Sequence, residues 1–67
     1  MDIKERLSNL KKTQTELLFE VRRKGYPKLQ QSQLSGYINN TVLGPQKDAV
    51  LEIANNILDK WETENNE

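Results

Sequence analysis

The chain has 67 residues, of which 34% are hydrophobic and 30% charged, with ten basic and ten acidic side chains and no net charge. That length gives one domain, residues 1–67, with a thin core and no room for a second. With no cysteine and no histidine, disulfides, thiolate metal sites and the commonest general base are excluded, so a protein without catalysis, metal, cofactor or small-molecule substrate is expected.

The first helix is predicted over about residues 2–11. Asp2 and Glu5 have capping-box spacing, and Ile3, Leu7 and Leu10 repeat at i, i+4, i+7. Thr13 opens a second helix, with Glu16 three residues on and Leu17, Leu18 and Val21 facing inward. Gly25 stops it, because glycine takes a left-handed C′ conformation cheaply. Tyr26-Pro27 confirms the break, since proline disfavours helical geometry in the residue before it.

A third helix is predicted over 31–39. Leu34, Tyr37 and Ile38 share its inward face, while Ser32, Ser35, Gly36 and Asn39 fall on the other. That outward face carries no charge, in a chain that is 30% charged. A merely solvated face would draw on Lys and Glu; small and amide side chains suit close approach to another surface. Asn40 stands where the chain must turn, as the next best residue to glycine for a left-handed backbone.

The last helix is predicted over 45–62, with Pro45 at the favoured first helical position. Val50, Ile53, Ala54, Ile57, Leu58 and Trp61 form its stripe, broadened by Ala49 and Leu51. Thr63–Glu67 should fray. No alternating strand pattern or repeat is present, so the expected fold is all-α, four helices on short connections.

Charge is divided along the chain. Residues 1–47 hold nine Lys/Arg and four Asp/Glu, a balance of +5, and residues 48–67 hold one Lys and six Asp/Glu, a balance of −5. Such asymmetry points to a nucleic-acid surface on the basic part, or to acids that keep a thin-cored helix in solution. No apolar run approaches the roughly 18 residues of a membrane span, and Lys4–Arg6 leads into no signal-peptide core. A cytoplasmic location is expected, and the glycosylation pattern Asn39-Asn40-Thr41 is then coincidence.

Thr13-Gln14-x-Glu16-Leu17, followed by a small polar helix with Leu34-Ser35, resembles the Cro/repressor type of phage helix-turn-helix proteins. Leu29 and Leu34 fall at that pattern's Val and Ile positions, Ser35 at the serine that follows, and Asn39-Asn40 at its Asn-Gly. The resemblance covers residues 13–40. Leu18 replaces the usual alanine, Gln30 replaces the usual serine cap, and the turn filled by Arg22–Lys28 is about six residues longer than the family's tight one.

The resemblance implies a sequence-specific regulator of a phage, plasmid or mobile element that binds double-stranded DNA as a homodimer. By position, Gln31, Ser32 and Gly36 would meet base edges in the major groove, with Gln33 and Ser35 as neighbours; glutamine pairs bidentately with adenine. Gln14, at a helix N-terminus, would hold a phosphate. Lys11, Lys12, Arg22, Arg23, Lys24, Lys28 and Asn39 would contribute further phosphate contacts, which give affinity without sequence information. Ile57 and Trp61 are the candidate dimer seam, or else simply core. Two other classes fit the same chain: an adaptor that uses its acidic last helix on a regulatory protein partner, and an excision or architectural factor that bends DNA.

Overall fold

The computed structural model describes residues 2–65, which form four helices and, among the described residues, no strand: α1 (Ile3–Leu10), α2 (Gln14–Arg23), α3 (Gln31–Ile38) and α4 (Lys47–Asn65). The chain is all-α. No helix among the described residues is long and apolar enough to cross a membrane.

Each helix boundary has a local cause. Asp2 Oδ1 accepts from the Glu5 amide at 2.9 Å, and Thr13 Oγ1 accepts from the Glu16 amide at 3.1 Å. Both caps supply a partner to an amide that has none inside the helix. Lys11 ends α1 in the left-handed region at φ 58°. The amides of Lys12 and Lys11 then donate to the carbonyls of Leu7 and Ser8 at 2.9 and 3.1 Å, the paired bonds of a Schellman ending. Asn40, at φ 63°, ends α3 in the same way: Thr41 N donates to Gly36 O at 2.9 Å and Asn40 N to Tyr37 O at 3.3 Å.

The turn between α2 and α3 differs from expectation. Arg22 and Arg23 stay helical, so the connection is Lys24–Gln30 and its excess over an ordinary helix-turn-helix turn is smaller than predicted. Gly25 sits at φ 143°, where side chains are strained. Leu29 N donates to Tyr26 O at 3.0 Å, closing a turn around Pro27, and Arg22 Nε reaches back across it to Leu29 O at 2.7 Å.

α4 also departs at both ends. Lys47 N donates to Gly44 O at 3.2 Å, which makes Pro45 and Gln46 the corners of a turn. Gln46 O then receives the first helical bond, from Val50 N at 2.8 Å. Thr63, Glu64 and Asn65, expected to fray, are helical, and Thr63 Oγ1 donates to Asp59 O at 3.0 Å. The remainder of the predicted frayed end, Asn66 and Glu67, lies outside the described residues.

α4 packs against each of the other three helices. The core joins Leu7 of α1, Leu17, Leu18 and Val21 of α2, Leu29 of the turn, Leu34 and Tyr37 of α3, and Val50, Ala54, Ile57 and Leu58 of α4. Each fully buried leucine contributes about 1.5–3 kcal/mol relative to exposure. Leu18 is fully accommodated in this core.

Arg6 ties α1 to the length of α4. Its guanidinium donates to Glu62 Oε1 and Oε2 at 2.7 and 3.2 Å, to Asn55 Oδ1 at 2.9 Å and to Asp59 Oδ1. Asn55, Asp59 and Glu62 recur at i, i+4, i+7 on α4, so one planar fork spans two helical turns. Two of the six acids of the C-terminal segment are therefore engaged in holding the fold.

Candidate nucleic-acid interface

α3 is placed by what it buries. Leu34 and Tyr37 enter the core and Ile38 packs against it, which turns residues 31, 32, 35 and 39 outward. Gln31, Ser32 and Asn39 are exposed and Ser35 is half-exposed. Their spacing makes one continuous stripe along the helix. Asn39 Nδ2 donates to Ser35 Oγ at 3.3 Å, so both side chains lie flat on this face. The stripe offers amide and hydroxyl groups able to donate and accept, with no charge among them.

Gly36 and Gln33 have other tasks. Gly36 is buried, although the helical period turns it away from the core. The chain leaving α3 folds back over it: Val42 N donates to Gly36 O at 3.2 Å. A Cβ at residue 36 would stand 2.3 Å from Val42 Cγ2 and 2.8 Å from Val42 Cβ. The close approach inferred from the sequence is real, but the approaching surface is the protein's own loop, and Gly36 is removed from the exposed stripe. Gln33 is half-buried, and its Oε1 accepts from the Gln30 amide at 3.0 Å. It closes a capping box at the start of α3, whose N-cap is Gln30.

The predicted phosphate contacts do not gather on one face. Lys12 lies 5.2 Å from the centre of the Trp61 ring and 3.6 Å from Glu16, which puts the α1–α2 junction beside the C-terminal part of α4. Asn40, by contrast, receives a hydrogen bond from Lys47 at the start of α4. Residues 47 and 61 are about 21 Å apart along a helix, so Lys11 and Lys12 are remote from the end of α3. Arg22 is occupied with Leu29, Arg23 pairs with Glu20 at 3.2 Å, and Lys24 lies beside Ile53, Asn56, Ile57 and Lys60 of α4. Lys28 is exposed in the turn before α3, in a shallow depression shared with Gln33 and Gln46. Gln14 is half-buried in the first turn of α2.

The candidate dimer seam is largely internal. Ile57 is 6% exposed within the single chain, and Trp61 packs half-buried against the same core.

Leu43 and Lys47 were missed by sequence reasoning. Leu43 is 81% exposed, and Lys47 joins the end of α3 to the start of α4. The available signal was the spacing of acids. From Val21 to Lys47 the chain has no Asp or Glu, yet holds Arg22, Arg23, Lys24, Lys28 and Lys47. This acid-free stretch contains α3 and both of its connections. Arg6 was also passed over, though it sits beside the apolar stripe of α1 and opposite acids at helical spacing.

No protein-family model matches the chain, and no match was found among curated proteins or solved structures.

Proposed function

We propose that the protein is a sequence-specific DNA-binding regulator of the Cro/repressor kind, from a phage or mobile element, in which α2, the turn and α3 work as a helix-turn-helix. The observation that carries this reading is the outward stripe of α3, Gln31, Ser32, Ser35 and Asn39, uncharged and exposed within an acid-free stretch that holds five cations. Side chains that discriminate between bases lie on the stripe, and a polyanion meets no opposing charge from that stretch. Gln31 and Ser32, in the first turn, would meet base edges, and Lys28 and Lys47 would meet phosphates on either side. Binding as a homodimer to two half-sites would follow from the same reading, with a seam other than Ile57.

The rival in which the acidic face of α4 engages a protein partner is less well supported, because Arg6 already occupies Asp59 and Glu62. Selection from a randomised duplex library by the wild-type protein, followed by polarisation titration, tests the reading. An enriched sequence bound in preference to a scrambled duplex supports it, and no enrichment overturns it.

A further inference from the structure

One apolar row of α4 is left partly uncovered beside the end of α2. Ile53, Ile57 and Trp61 recur at i, i+4 and i+8; Ile57 is buried, whereas Ile53 and Trp61 are half-buried. Two adjoining hollows lie over this row. One, of about 300 Å³, is lined by Ile53, Ile57, Asn56, Lys60 and Lys24 and, among the described residues, by no acid. The other, of about 200 Å³, shares Lys24, Ile57 and Lys60 and reaches Trp61, Glu20 and Arg23. Together they form a groove along about 12 Å of α4, a little over two turns. Its positive charge is not balanced from within. Glu20 pairs with Arg23 at 3.2 Å. That leaves Lys24 on the α2 side and Lys60 on α4, both exposed and, among the described residues, in no ion pair. Glu52 and Glu64 stand four residues outside Asn56 and Lys60 along α4 and line neither hollow.

We infer that this groove is a docking site for a short acidic helix of a partner protein. Two apolar side chains of that helix, at i and i+4, lie against Ile53, Ile57 and Trp61, and its carboxylates meet Lys24 and Lys60. The sign of the rim selects the partner. The length is limited too: a longer acidic helix would meet Glu52 or Glu64, carboxylate against carboxylate. DNA is the poorer occupant, because phosphates gain nothing from three apolar side chains. A second copy also fits less well. Phe19, exposed on α2, has its neighbouring acids Glu16 and Glu20 already paired with Lys12 and Arg23, and Val42 and Leu43 are followed by no acid before Asp48. The inference stands apart from the reading of α3.

The test selects binders to the full chain from a displayed library of helix-forming peptides, with leucine fixed at i and i+4 and every other position free. Enrichment of Asp and Glu beside the leucines is expected. The selected peptide should shift the emission of Trp61, the sole tryptophan. Lys24→Gln combined with Lys60→Gln should keep the wild-type melting temperature and weaken that peptide about tenfold. Lys24→Glu combined with Lys60→Glu should select Lys and Arg in place of the acids. No enrichment of acids, or a selected peptide that binds both double variants as tightly as the wild type, would overturn the inference. So would a wild-type dimer that the charge reversal makes monomeric in sedimentation, since a second copy would then be the occupant.

Discussion

Val42 rests on Gly36 so closely that a Cβ at residue 36 would stand 2.3 Å from Val42 Cγ2. A helix interior ordinarily gains about 1 kcal/mol when glycine becomes alanine. Here the overlap decides the sign, because the clash includes Val42 Cβ, which moves only with the backbone. Gly36→Ala is expected to destabilise the fold by about 1–3 kcal/mol, measured by urea denaturation. Adding Val42→Ala should recover part of the loss, since it removes Cγ2 and leaves Cβ.

The hydrogen bonds from Arg6 hold the Glu62 carboxyl below its ordinary value of 4.5, and the carboxylates raise the Arg6 pKa in turn. A depressed folded pKa stabilises the protein fully above the unfolded value and loses that contribution as pH falls through the folded one. Thermal stability should therefore decline from about pH 4.5 downward, and Glu62→Gln should flatten the decline. Arg6→Ala should lower the melting temperature at pH 7 more than Lys12→Ala, because Arg6 holds three residues of α4 and Lys12 makes exposed contacts.

Ile57 lies 6% exposed in the core of the single chain. Ile57→Ala should cost about 2–5 kcal/mol, and the loss should be the same at low and high protein concentration. A cost that is larger at high protein concentration and shrinks on dilution would restore Ile57 to a dimer seam.

Gln31 and Lys28 should separate base reading from phosphate binding. Gln31→Ala is expected to relax preference at one base position by about 1–3 kcal/mol without changing the salt slope. Lys28→Ala should weaken all duplexes alike and reduce the slope by about 0.9. Polarisation titrations of matched and singly mismatched duplexes over a salt series measure both.

The parts of this structure legible in sequence were those with local causes. Asp2–Glu5 and Thr13–Glu16 announce helix starts because cap and partner are three residues apart, and Gly25 announces a stop. The inward faces of α2 and α4 follow from period alone. Contacts between elements could not be read this way. Arg22 is the second-last residue of α2 and its Nε donates to Leu29 O, seven residues on; by composition it looks like a turn residue. Pro45 is displaced from the helix by the bond from Lys47 to Gly44, which the proline itself does not reveal. Gly36 is the instructive case: its small size signalled a close neighbour, but the identity of that neighbour depended on where the chain went after Asn40.

Reading of DNA by the outward face of α3 is tested most directly by an amide and side-chain NMR titration of the full chain with a duplex the protein selects, against a scrambled duplex. The signals of Gln31, Ser32, Ser35 and Asn39 are expected to shift with the selected duplex and to shift less with the scrambled one. Shifts confined to α4, or none on α3 with either duplex, would contradict it.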